Sequence, residues 1–193
     1  MKIIILSLVL CLLAGAGAFS ASFEEACRVM SAENTVSGDF IQKRTIAANG
    51  RSLKSSGVFT VSKGEIIWQT TKPIKSTVQI TEGKITSTDS KGHTTVLDST
   101  QNQMFTLISK MMASLFAGNR SELESFFLVD FDGSAEGDAS KWKMTLTPRD
   151  STIAQAVSHI NLSGNLKFML TMESVLTGGD SILYEFYNHK IGR

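Results

Sequence analysis

Two neighbouring segments in the first half of the chain show the alternation of apolar and polar residues that predicts β-strands. Leu53–Ser62 and Glu65–Pro73 alternate in this way, and a Lys-Gly pair between them predicts a tight turn. Successive side chains of a strand point to opposite faces, so Phe59 and Val61 share one face. Trp68 is large and costly to expose, and we expect it to line a core or a ligand cavity.

The same alternation continues along most of the chain. Turn signals at Ser163-Gly164-Asn165 and Gly178-Gly179-Asp180 lie between segments at hairpin distance, which predicts antiparallel pairing. Apolar residues fall on one face of the strands and Lys, Thr and Glu on the other, so the sheet should have one dry side and one wet side. The further predicted strands are Phe40–Arg44, Val78–Ile85 (a hairpin), Thr94–Leu97, Phe127–Phe131, Trp142–Thr147, Leu166–Glu173 and Ile182–Phe186.

A helix is predicted to cover the dry side. Gln103–Ala117 contains no Gly or Pro, and its apolar residues form a broad helical stripe. Three methionines in that stripe favour a lid that can repack around different cargoes, whereas an ordinary core helix is the alternative. Ser121–Phe126 is predicted to extend the cover, and Phe23–Ala32 is a third helical segment. The predicted fold is mainly β with α: an open, strongly curved antiparallel sheet, or half-barrel, covered by helices.

The N-terminus has the layout of a cleaved signal peptide. Lys2 precedes the apolar run Ile3–Leu13, which is too short to span a bilayer, and small residues lead to a cleavage site after Ala18. Cys11 lies inside the apolar run and follows a leucine, which argues against lipidation. We therefore expect residues 1–18 to be a signal peptide and residues 19–193 to form a single exported domain.

Charge and cysteine content restrict the partners. The chain has 19 basic and 18 acidic residues, and the predicted signal peptide contains one lysine and no acidic residue, so the remaining charges balance. A neutral domain offers no basic field for nucleic acid, and a partner should be recognised by shape and apolar surface. Cys27 alone remains after cleavage, so no internal disulfide is expected, and we expect it to be buried as a small apolar residue.

Residues that carry catalytic or metal chemistry are not arranged in recognisable motifs. His93, His159 and His189 lack metal-ligand spacing, and each is expected to be a solvated or packed imidazole. Asp130 begins a segment similar to a calcium loop, but Lys141 occupies the position that needs a glutamate. No nucleophile, base and orienting group can be assigned together. We expect no catalysis, no cofactor and no bound metal.

The order of the N-terminal motifs resembles the periplasmic carriers of outer-membrane lipoproteins, the LolA-type family. The motifs are Phe40 and Gln42, then Gly57 with Phe59 and Val61, the Lys63-Gly64 turn, Trp68 and Pro73, followed by the hairpin around Glu82-Gly83-Lys84. The family typically has an Arg-Pro pair in the turn before the Trp strand, where the arginine holds a lid closed. This chain has Lys63-Gly64 there, which leaves Arg44 and Lys63 as candidate lid latches.

The resemblance implies a periplasmic carrier, and we expect it to be a monomer. Such a carrier would bind the acyl chains of a lipidated cargo, a lipoprotein or a lipid, and move it from an inner-membrane donor to an outer-membrane acceptor. The alternative is an envelope lipid-binding sensor without transfer activity. The predicted cargo-binding residues are Phe40, Phe59, Val61, Trp68, Met104, Leu107, Ile108, Met111, Met112, Leu115, Trp142, Met144, Leu146, Phe168 and Leu170.

Overall fold

A computed structural model describes residues 20–31, 35–81, 83–98, 110, 114–115 and 120–192. Within these residues, eleven strands form one antiparallel sheet with three α-helices and a short 3₁₀ turn at Ala135–Gly137. The helices are α1 (Phe23–Met30), α2 (Arg120–Phe126) and α3 (Ser151–Ala154). The strands are β1 (Val36–Thr45), β2 (Ser52–Ser62), β3 (Glu65–Lys72), β4 (Ser76–Thr81), β5 (Lys84–Thr88), β6 (Thr94–Asp98), β7 (Phe127–Asp132), β8 (Lys141–Pro148), β9 (Val157–Asn165), β10 (Met169–Leu176) and β11 (Ser181–Ile191).

The sheet is open, and its order is β6-β5-β4-β3-β2-β1-β11-β10-β9-β8-β7. Strands that follow one another along the chain are paired, except β6 and β7, which form the two edges of the sheet. In the middle of the sheet, β1 pairs with β11. The chain passes from one edge strand to the other between Asp98 and Phe127. The predicted open antiparallel sheet with helices is therefore confirmed.

Alternation along β8 shows how the sequence divides the two faces. Trp142, Met144 and Leu146 are buried, whereas Lys141 and Lys143 are exposed. The apolar face continues through Leu162 of β9, which is the register partner of Met144. One hydrophobic core lies on this face.

Helix α1 begins at a capping box. The Ser22 hydroxyl accepts a hydrogen bond from the Glu25 backbone N–H, and the Glu25 carboxylate accepts one from the Ser22 N–H, which satisfies two donors that a helix start leaves unpaired. One side of the helix is buried against the sheet through Phe23, Ala26, Cys27 and Met30. Cys27 is 2% exposed, as expected, and burial raises the pKa of its thiol to about 11.

Arg120 joins α1 to α2. Its guanidinium lies 3.0 Å from Glu24 of α1 and 3.0 Å from Glu124 of its own helix, and it covers the ring of Phe23 at 4.9 Å. The three charged side chains are substantially exposed, and exposed ion pairs are individually weak. Helix α2 confirms the predicted helical segment at Ser121–Phe126.

The longer predicted cover, Gln103–Ala117, lies mostly outside the described residues. Lys110, Ser114 and Leu115 are described, and all three are helical. Ser114 and Leu115 are each 3% exposed, so this part of the segment is buried against the core.

The predicted turn at Ser163-Gly164-Asn165 is wrong, because these residues are the last three of β9. The chain reverses at residues 166–168 instead, where the Asn165 side chain accepts hydrogen bonds from the backbone N–H groups of Lys167 and Phe168. The predicted strand Leu166–Glu173 accordingly begins three residues later, at Met169. Gly164 is needed for packing, since a Cβ atom there would lie 2.4 Å from the Trp142 ring.

Candidate functional site

An apolar cavity lies between the end of α1 and the dry face of the sheet. Its walls combine the last turn of α1 with side chains of the four central strands β1, β2, β3 and β11 and of the start of β10. The lining residues are Val29, Met30, Ser31, Val36, Phe59, Val61, Trp68, Phe168, Met169, Phe186 and His189. Its volume of about 40 Å³ has room for a few water molecules only. A bound chain of any length would therefore require the walls to move apart.

Strand register brings the walls together. Val36 of β1 is the partner of Val61, and Phe59 of β2 is the partner of Trp68, so these side chains share the dry face. Gly38 leaves space for Phe59, because a Cβ atom at Gly38 would lie 2.9 Å from that ring. The sequence thus places large side chains on β2 and β3, and the glycine at the facing position of β1 leaves room for them.

The cavity walls are largely aromatic. Phe59 and Phe186 meet edge to face, with ring centroids 5.1 Å apart. His189 stacks on Phe168 at 4.4 Å with an interplanar angle of 15° and meets the edge of Phe59 at 5.9 Å. Contacts of this kind stabilise a pair beyond the area that it buries and give the wall a defined shape.

His189 is the titratable group on the cavity wall. Its Nε2 atom lies 3.1 Å from the carbonyl oxygen of Met169, and because a carbonyl only accepts, this nitrogen carries the proton in the neutral ring. Burial lowers the pKa of His189 below its ordinary value of 6.5, since the imidazolium would lose hydration, and the bond to Met169 opposes that shift.

This lowered pKa predicts a loss of stability in mild acid. Because the unfolded chain binds the proton more tightly, protonation favours unfolding as the pH falls through about 6.5. Urea unfolding at pH 7.5 and 5.5 should show a loss of stability in the wild type and a smaller loss in His189→Gln. The comparison variant His93→Gln replaces an exposed histidine that does not line the cavity, and the loss in His189→Gln should be the smaller of the two. An unchanged pH dependence in His189→Gln would contradict the assignment.

Trp68 has the most unusual polar atom of the site. Its Nε1 atom is buried and has no hydrogen-bond partner among the described residues. Trp142, the other tryptophan, donates from Nε1 to the Asn165 carbonyl oxygen at 3.0 Å. A buried donor left unpaired costs about 1–3 kcal/mol, so native structures rarely retain one without a reason.

The predicted cargo-binding residues fall into three groups. Phe59, Val61, Trp68 and Phe168 line the cavity. Phe40, Leu115, Trp142, Met144 and Leu146 are buried in the core and Leu170 is partly buried, and these six are not among the cavity-lining residues. Met104, Leu107, Ile108, Met111 and Met112 lie outside the described residues. Cargo contact by any of the three groups stays a prediction.

Sequence reasoning did not predict several cavity residues. Val29, Met30 and Ser31 come from α1, and the docking position of a helix cannot be read from local alternation. Val36, Met169, Phe186 and His189 come from the strands. Of these, Phe186 lay within a predicted strand and its apolar face was the available signal, whereas His189 lies beyond the predicted end of that strand.

The two candidate latch residues lie at opposite ends of the central strands. Arg44 is at the end of β1 far from Val36, where its guanidinium is 3.3 Å from the Asp180 carboxylate in the β10–β11 turn. Asp180 also accepts a hydrogen bond from the Ala47 N–H. Lys63 is exposed in the β2–β3 turn, two residues from Val61. A latch role for either residue stays a prediction.

Neither a metal site nor a membrane-spanning helix occurs among the described residues. No group of three or more His, Cys, Asp and Glu side chains there could hold a metal ion. The helices of that part of the chain are all too short or too polar to cross a membrane.

The fold and the cavity define an open antiparallel sheet that encloses an apolar, aromatic-walled space under a helix. The profile of the family described as "Outer membrane lipoprotein carrier protein LolA-like" matches residues 12–183 of this sequence. The chain belongs to this family. Among curated protein sequences, none matches this chain at a significant level.

Two solved structures are similar to this chain at low sequence identity. A LolA superfamily protein from Nitrosomonas europaea is 10% identical, with a TM-score of 0.44 over 88% of this chain and 91% of that chain. A DUF1329 family protein from Desulfovibrio piger is also 10% identical, with a TM-score of 0.46 over 87% of this chain and 90% of that chain.

Proposed function

We propose that the protein is a periplasmic carrier that binds the acyl chains of a lipidated cargo in the cavity under α1 and transfers the cargo from the inner to the outer membrane. The observation that carries this proposal is the apolar, aromatic wall shared by β2, β3 and β11. Family membership supports it, and the signal peptide predicted at residues 1–18 would deliver the chain to the periplasm. The cargo is a lipoprotein or a lipid.

The energetics of chain burial favour such a role. Each methylene removed from water contributes about 0.8 kcal/mol, so a dozen would contribute roughly 10 kcal/mol before the costs of binding. The cavity has a volume of about 40 Å³ and must widen, which subtracts from that gain. A carrier benefits from this cost, because cargo held at less than full strength can be released to an acceptor.

Helix α1 is the wall best suited to move. It contributes Val29 and Met30 to the cavity, and the side chain of Arg120 links it to α2 through exposed ion pairs. Such pairs break at small cost in water, whereas the strand walls are held by continuous backbone ladders. Displacement of α1 would leave these ladders intact, although it would expose the apolar face that the helix buries through Phe23, Ala26 and Met30.

A charge on the cavity wall should weaken cargo binding. At pH 7.5 the Nε2–H of neutral His189 is bonded to Met169, so Phe168→Glu places a carboxylate without a donor in the apolar site. That costs well over 1.4 kcal/mol, so the affinity for a dansyl-labelled fatty-acid methyl ester should fall at least about tenfold. The control Leu166→Glu adds the same charge two residues away, on an exposed side chain that does not line the cavity. It should bind as the wild type does.

Fluorescence titration measures the affinities, and circular dichroism checks that both variants keep their strand signal. Equal affinities for Phe168→Glu, Leu166→Glu and the wild type would refute the cavity as the binding site. Transfer is tested separately, by mixing vesicles that contain a lipidated peptide with acceptor vesicles. Accelerated movement of the peptide in the presence of the protein supports a carrier, whereas binding without acceleration supports the alternative of a lipid sensor.

A further inference from the structure

The indole of Trp68 is fixed on the cavity wall by its neighbours. It lies on β3 between its register partners Phe59 of β2 and Val78 of β4, and its ring centroid is 6.0 Å from that of Tyr184. Phe59 and Val78 are apolar, and Trp68 itself lines the cavity. Its orientation is therefore set by packing.

Other polar groups of the cavity already have partners. The Ser31 hydroxyl donates to the Arg28 carbonyl oxygen at 2.8 Å, and His189 donates to the Met169 carbonyl oxygen. The Trp68 Nε1–H has no acceptor among the described residues, although it is buried. An indole N–H can only donate, so it needs a hydrogen-bond acceptor that the described residues do not supply.

Water fits this requirement poorly. A buried water molecule needs two to four polar partners, and the apolar walls of this cavity offer few. A carbonyl oxygen attached to a hydrocarbon chain fits better, because it is a pure acceptor whose remaining atoms match the apolar walls. Every ester-linked or amide-linked acyl chain carries such an oxygen.

We propose that Trp68 Nε1 donates a hydrogen bond to the carbonyl oxygen of the bound acyl group. This inference rests on the proposed function. The cavity then distinguishes acyl chains from hydrocarbon of the same length. The bond also sets how deeply a chain enters, because its first carbon is held at β3 while the methylenes continue along the aromatic wall.

Nuclear magnetic resonance tests this directly, because the chain contains two tryptophans and therefore gives two indole N–H signals. Trp68→Phe assigns them by removing one. The probes are methyl octanoate and nonane, both equilibrated with the ¹⁵N-labelled wild type through the vapour phase. Methyl octanoate should move the Trp68 indole proton downfield, nonane should not, and the Trp142 signal should stay in place with both.

Affinity gives a second readout. Trp68→Phe keeps an aromatic ring but removes the donor, so the affinity for methyl octanoate should fall about tenfold while that for nonane changes less than twofold. If both probes bind and neither shifts the Trp68 indole proton downfield, or if the variant weakens both equally, the inference is refuted and the proposed function stands. If neither probe binds the wild type, both are refuted.

Discussion

Replacing Trp142 by alanine should lower the free energy of unfolding by about 3–5 kcal/mol, the range for truncating a large buried aromatic side chain. Trp142 is 1% exposed, its ring fills the space over Gly164, and its Nε1 donates to the Asn165 carbonyl oxygen. The substitution creates a cavity and removes a hydrogen bond at the same time. Urea denaturation monitored by circular dichroism measures the loss.

Leu128→Ala provides the comparison for Trp142→Ala. Leu128 lies on the neighbouring strand β7 but is 53% exposed, and substitutions at such positions usually change stability by less than about 0.5 kcal/mol. A loss below about 1 kcal/mol for Trp142→Ala would show that the packing around this ring has been misjudged.

Gly57→Ala should be nearly as damaging, although it adds a single carbon. A Cβ atom at Gly57 would lie 1.9 Å from the carbonyl oxygen of Gln69 on β3 and 2.8 Å from the Thr70 Cα. Both obstacles are backbone, so β2 and β3 must separate, and we expect a loss of about 3 kcal/mol or more, the upper range for overpacking.

Gly178→Ala is the matched control for this change. A Cβ atom at Gly178 would meet nothing within 4 Å, so the same addition should be close to neutral in the β10–β11 turn. Thermal unfolding of both variants separates steric conflict from the general effect of replacing glycine. Similar melting temperatures for the two variants would refute the predicted close approach of β2 and β3.

Local alternation predicted most of the sheet because strand sequences carry their own period. Trp142, Met144 and Leu146 repeat every second residue, and each is buried as that pattern requires. Strand β9 has the same signal at Ile160 and Leu162, but it was not predicted, because its last residues were interpreted as a turn. Ser, Gly and Asn occur at the end of a strand as well as in a reversal, so composition alone does not fix the position of the turn.

The site could be predicted only in part, because a cavity forms where packed elements leave space between them, and local sequence does not show where that space lies. Phe40 and Phe59 are both large aromatic residues on the dry face, yet only Phe59 lines the cavity. The difference arises from the position of α1, whose Met30 packs over one part of the sheet. The role of His189 depends equally on Phe168, twenty-one residues earlier in the sequence and one strand away in space.

Strands β1 and β11 are far apart in the sequence, so we expect their pairing to form late in folding. Phe40 and Phe186 are register partners, whereas the other ladders join strands that follow one another along the chain. The segments β1–β6 and β7–β10 can each form as a meander from local contacts. The two meanders join into one sheet only when β11 pairs with both β1 and β10. Non-local pairing of this kind slows folding and leaves strand edges open meanwhile. Before β11 pairs with both, we therefore expect the two unjoined meanders to be the species most prone to aggregation.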